Sequence, residues 1–145
     1  MSETGPDTIL HASCVAFSGR GLLFLGASGS GKSGLALALM ALGGDLVADD
    51  RVILSKTEKA IIATAPAPID GLIEARGIGL LQARSCGPVP LACVVDLDQT
   101  ETERMPPYRE IILLGQSVTL LLKVETPHFA AALMQYLKEG RQPER

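Results

Sequence analysis

Apolar residues occur along this chain in short runs, broken by glycine, proline or polar turns rather than by long amphipathic helical stretches. Residues 9–17 read as a first strand, and Ser18, Gly19, Arg20 and Gly21 as a tight turn into a buried strand over 21–25. That hairpin gives the second strand an antiparallel neighbour. Residues 32–42, rich in Leu and Ala, predict a helix that Gly43 and Gly44 terminate. Strands are expected at 45–48 and 52–55, then a polar turn at 56–58 and a returning strand at 60–65. Pro66 and Pro68 break regular structure. Residues 82–90 read as loop, 91–95 as a buried strand ending in Asp96, and 98–107 as a polar, flexible loop. Two further strands, 110–113 and 118–124, turn at Gly115 and Gln116. Thr126 followed by Pro127 predicts a capped helix start, with the helix running to about Lys138 and stopping at Gly140.

Many short strands and only two helices do not make the regular strand–helix alternation of a doubly wound sheet. The expectation is an α/β domain with a hairpin-rich mixed sheet, spanning residues 1–145 as one unit with flexible ends at 1–7 and 140–145. With 47 % hydrophobic residues, five aromatics and no Trp, the core must be aliphatic. The net charge of −3, with Lys and Arg scattered, argues against a nucleic-acid surface and against a basic membrane-binding helix. No apolar run is long enough to span a bilayer. Three cysteines without C-x-x-C spacing read as free thiols of a cytoplasmic protein.

Gly26-Ala27-Ser28-Gly29-Ser30-Gly31-Lys32-Ser33 fits G-x-x-x-x-G-K-[ST], the Walker A phosphate loop, in its required setting of strand, glycine loop and helix. The glycines let backbone amides close around a phosphate. Lys32 is expected on the β- and γ-phosphates of ATP, and the Ser33 hydroxyl on Mg²⁺. Asp49 and Asp50 follow Lys32 by seventeen and eighteen positions, at the end of a strand that a short helix brings back beside the phosphates. Neighbours on an extended chain point opposite ways, so one carboxylate can hold Mg²⁺, directly or through water, while the other accepts a proton from an attacking hydroxyl. Glu74 and Arg76 share a face if their segment is extended, where Glu74 can complete a metal shell and Arg76 can meet phosphate oxygens. His11, in the middle of the first strand, and Arg104, in the polar loop, are open between structural and active-site roles on these grounds alone.

Leu46-Val47-Ala48-Asp49-Asp50-Arg51-Val52 at this distance from the phosphate loop, and Glu74-Ala75-Arg76-Gly77-Ile78-Gly79, resemble the catalytic domain of the HPr kinase/phosphorylase family. The second stretch is similar to that family's E-x-R-G-[LI]-G signature, and the match runs through roughly residues 10–80. The resemblance implies a fold like the nucleotide-binding core of phosphoenolpyruvate carboxykinase. It implies ATP- and Mg²⁺-dependent phosphorylation of a serine on an HPr-like phosphocarrier of a phosphotransferase system. It casts Asp50 as the base, Lys32 as the phosphate grip, Ser33 and Glu74 as Mg²⁺ ligands, His11 as an ordering group and Arg104 as the loop arginine. Residues around Arg104 depart from the family's D-R-[LI]-G. Residues 113–117 lack the basic side chains that the family uses in the reverse, dephosphorylating direction, so a kinase without phosphorylase activity is expected. Full-length members carry an N-terminal domain, and this chain resembles their short, single-domain form, with no oligomer assumed. A small-molecule kinase and a nucleotide-sensing module without transfer activity are the competing readings.

Overall fold

The computed structural model describes residues 7–142, so the expectations for the chain ends fall largely outside the described residues. β1 (Thr8–Leu10), β2 (Ala12–Phe17) and β3 (Arg20–Leu25) open the fold, followed by α1 (Lys32–Ala41) and β4 (Asp45–Ala48). Then come β5 (Val52–Lys56), β6 (Ile61–Thr64), a short 3₁₀ turn, and the β7 (Leu72–Ala75) and β8 (Gly79–Gln82) hairpin. The long β9 (Val89–Thr100), β10 (Arg109–Leu113), β11 (Gln116–Lys123) and α2 (Phe129–Glu139) complete it.

Nine strands form one mixed sheet in which the path β1-β5-β6-β9-β3-β2-β4 is joined by β11 on β9 and β10 on β11. The central strands β11, β9 and β3 are parallel, whereas β2 lies antiparallel to both β3 and β4, as the hairpin reading anticipated. Their sequences show why they sit inside. Leu22, Phe24, Cys93 and Val95 point to one face, packed under α1 and α2 with Leu39, Leu133 and Leu137. The intervening Leu23 and Val94 point to the other, where Val52, Leu54, Ile61 and Ala63 from β5 and β6 cover them. Period-2 alternation with both faces apolar is the pattern of a strand buried on two sides.

Four sequence expectations are corrected. The first strand is broken at His11: β1 pairs with β5, whereas β2 pairs with β3 and β4 near the other end of the same sheet, so one straight strand cannot reach both sets of partners. Residues 98–100 extend β9 rather than beginning a loop: after an irregularity beyond Asp96, the strand rejoins the last residue of β11, with Thr100 opposite Lys123. The 72–81 segment folds into a hairpin, with Arg76 in its turn rather than in a strand with Glu74. α2 begins at Phe129, where Thr126 accepts the Phe129 amide through its backbone carbonyl and caps nothing with its side chain.

Candidate functional site

The phosphate loop starts where β3 ends. Gly26 must be glycine, because a Cβ there would stand 2.5 Å from Ser30 Oγ. Gly31 has φ 102°, in the left-handed region that glycine occupies without strain, and its carbonyl accepts the first α1 hydrogen bond from Leu35 N at 2.9 Å. The loop therefore delivers the helix N-terminus, with its unpaired amides, to the end of the central sheet. Lys32 folds back over it, donating from Nζ to the carbonyls of Gly26 (2.6 Å) and Ala27 (3.1 Å). Its side chain is buried, and no carboxylate lies within ion-pair distance of it among the described residues. A covered ammonium ion facing only carbonyl dipoles suits an anion brought by a ligand.

Opposite the loop, the two aspartates diverge. Asp49 is buried at the end of β4, and its Oδ1 accepts from Ser13 Oγ and Ser33 Oγ, each at 2.7 Å. Its Oδ2 accepts from Glu74 N at 3.1 Å. This one carboxylate ties β2, α1 and β7 together at the phosphate loop. Asp50 is exposed. Its φ of 72° and the Arg51 N to Asp49 O bond of 2.9 Å define a γ-turn of the rare, positive-φ kind. The turn swings its carboxylate to His11, whose Nδ1 is 3.3 Å from Asp50 Oδ1, while Arg51 Nε lies 3.8 Å from Oδ2. Aspartate tolerates that backbone better than most residues.

A cleft of about 300 Å³ joins these groups, lined among others by His11, Lys32, Ser33, Asp50, Glu74 and Arg76. A neighbouring groove of about 580 Å³, bounded by the β7–β8 hairpin, shares Ser33, Asp50, Glu74 and Arg76 with it. Ser28, Gly29 and Gly31 of the loop also line the cleft. Arg104 does not: it lies in the exposed segment between β9 and β10. Among the described residues no cluster of three or more His, Cys, Asp or Glu makes a ready metal cage. Mg²⁺ needs none, being held by one or two oxygen side chains together with water and phosphate oxygens. The Ser33 hydroxyl against Asp49, with the exposed Glu74 carboxylate in the same cleft, fits that hard-oxygen chemistry.

Two supporting residues escaped the sequence reading. Ser13 is a lone hydroxyl inside an otherwise apolar strand, a signal that could have marked a buried polar partner. Asp98 accepts the Ala27 amide with both oxygens at 3.1 Å, anchoring the first turn of the loop. It was hidden by the expectation that residue 98 starts a mobile loop. No helix among the described residues is long and apolar enough to cross a membrane.

Comparisons with known proteins give the family and the fold. The HPr kinase/phosphorylase of Caldicellulosiruptor bescii is 45 % identical over 84 residues, covering 57 % of this chain and 27 % of the relative. That of Clostridium tetani is 41 % identical over 83 residues, with the same coverages. The chain thus matches about a quarter of the length of these relatives. The structure of the Hpr(Ser) kinase/phosphatase from Coxiella burnetii superposes with a TM-score of 0.76 over 90 % of this chain and 94 % of that one, at 24 % identity, and so shares the fold. The profile of the HPr Serine kinase C-terminal domain matches residues 2–87, the stretch that carries the phosphate loop, both aspartates and the β7–β8 hairpin. By that match the chain belongs to the HPr serine kinase C-terminal domain family.

Proposed function

We propose that this protein transfers the γ-phosphoryl group of ATP to a serine hydroxyl of an HPr-like phosphocarrier. The observation that carries the reading is the exposed Asp50 carboxylate, held by its γ-turn in the same cleft as Lys32 and the phosphate loop. The loop amides and Lys32 hold the phosphates, which fixes the γ-phosphorus and neutralises the charge on its oxygens. Asp50 takes the serine proton as the serine oxygen bonds to the γ-phosphorus and the bond to ADP breaks. His11, beside Asp50, orients that carboxylate, and Arg76 offers its planar fork to phosphate oxygens. Ser33, Asp49 and Glu74 would hold Mg²⁺, which would supply neutralisation of phosphate charge. Arg104 would join only if its loop moves toward the cleft on binding.

The family relation supports HPr as acceptor, and the expected direction is phosphorylation without the reverse reaction. Incubating the protein with labelled ATP, Mg²⁺ and an HPr-like protein of the same host tests this, with the modified residue mapped by mass spectrometry. A single phosphoserine on the carrier supports the reading. Nucleotide binding with no phosphoprotein would replace it with a nucleotide-sensing role.

A further inference from the structure

Among the described residues three polar or charged side chains are buried, Ser13, Lys32 and Asp49, and all three converge on the phosphate loop. Lys32 and Asp49 have tasks in the reading above. We infer that Ser13 is a positioning residue for the metal ion: it fixes the Asp49 carboxylate so that the Ser33 oxygen and one Asp49 oxygen are left to face Mg²⁺. The inference rests on the phosphotransfer reading and adds a residue to it.

Place in the strand argues for it first. β2 runs Ala-Ser-Cys-Val-Ala-Phe, and Ser13 is fully buried opposite Phe24, two residues before the loop begins. By alternation it shares a face with Val15, and both Val15 and Phe24 belong to the apolar cluster beneath α1 and α2. Alanine or valine at this position would suit that face and leave no hydroxyl to pair. Packing therefore does not explain the serine. Its bond to Asp49 does.

Donor counting is the second observation. A carboxylate only accepts, so Ser13 and Ser33 both give their hydroxyl protons to Asp49 Oδ1, each at 2.7 Å. That fills both lone pairs of Oδ1. Oδ2 takes the Glu74 amide at 3.1 Å and keeps one lone pair. Ser33, its proton given to Asp49, turns its own lone pairs elsewhere, and Ser33 lines both the cleft and the neighbouring groove. Oxygens of this kind are what a hard cation seeks.

Removing the Ser13 hydroxyl leaves Oδ1 held by Ser33 alone. The carboxylate torsion is broad, so the group is then free to turn, and an open lone pair on Oδ1 competes with the Ser33 oxygen for the ion or its water. Groups that orient metal ligands without touching the metal change its affinity by about 10–100-fold when they are lost.

The test is the gain in ATP affinity that Mg²⁺ brings, from titrations of ATP with Mg²⁺ and with EDTA in its place. Wild type is expected to bind ATP in both and more tightly with Mg²⁺. Ser13→Ala and Ser13→Cys, the second close to serine in shape but a much weaker donor, should cut that gain about tenfold and leave ATP affinity in EDTA unchanged. Ser13→Thr, which keeps the hydroxyl, should recover most of the gain. Ser13→Cys decides the matter if Ser13→Ala does not fold. A hydroxyl needed only by the fold would lower the melting temperature and leave the gain as in wild type, and that result overturns the inference. Equal weakening with Mg²⁺ and with EDTA overturns it too, and the phosphate loop assignment survives either outcome. Equal ATP affinity with and without Mg²⁺ in wild type removes the metal ion from the proposed function and this inference with it.

Discussion

His11 Nδ1 stands 3.3 Å from Asp50 Oδ1, and each residue occupies a break in the chain: His11 between β1 and β2, Asp50 in a positive-φ turn between β4 and β5. Two interruptions of regular structure thus meet at the mouth of one cleft. Irregular backbone supported by neighbouring strands is where functional groups are often presented.

Asp50→Asn isolates the carboxylate. Asparagine also accepts positive φ, so the turn should persist and stability change by no more than about 0.5 kcal/mol. Phosphoryl transfer should fall about a hundredfold or more while nucleotide affinity holds. Parallel loss of affinity and rate in a titration and initial-rate assay would contradict a base role.

Asp49→Asn should behave in the opposite way. Asp49 accepts from two serine hydroxyls and one amide, and an asparagine NH₂ set against those donors cannot accept from them. Unfolding free energy should drop by about 1–3 kcal/mol in a denaturant titration. A variant as stable as wild type would show that the three bonds do not tie the site together.

Lys32→Ala removes the ammonium ion bound to Gly26 and Ala27 carbonyls. We expect ATP binding weakened by about 2 kcal/mol or more, with no measurable transfer. Unaltered binding in calorimetry would remove the phosphate loop from the mechanism.

Glu101 offers a pH test away from the cleft. It accepts from Arg109 Nε at 3.1 Å and Nη2 at 3.0 Å, and the hydrogen bond from Arg109 is the main reason its carboxyl is held below the ordinary 4.5. A lowered folded-state pKa stabilises above the unfolded value, and the contribution is lost as pH falls through the folded one. The gap in melting temperature between wild type and Glu101→Gln should be widest near neutrality and close in the acid range below 4.5. A gap independent of pH would assign the effect to packing.

The cysteines should report on folding rather than chemistry. Cys14 and Cys93 are fully buried, and burial drives both thiols upward, Cys93 to about 12. Cys86 is only partly covered and raised less. A thiol reagent at neutral pH should label Cys86 alone in the native protein and all three after denaturation. Rapid native labelling of Cys14 would mean that the β2–β4 layer opens readily.

The strand, glycine loop and helix of residues 21–42 were legible because they are set locally: a short apolar run, glycine spacing and a Leu- and Ala-rich stretch decide them without distant help. The mixed sheet with few helices was legible too, since short apolar runs between turn residues have no other compact solution. The different surroundings of Asp49 and Asp50 were anticipated only as opposite directions along a strand. What buries one and exposes the other is the convergence of Ser13, Ser33 and the Glu74 amide from three separate elements. The break at His11, the extension of β9 through Thr100 and the anchoring of Ala27 by Asp98 likewise depend on which strand lies alongside. Local propensity sets what a segment can become, whereas pairing partners and burial, known only once the chain is folded, set where a strand stops and which side chains face the ligand.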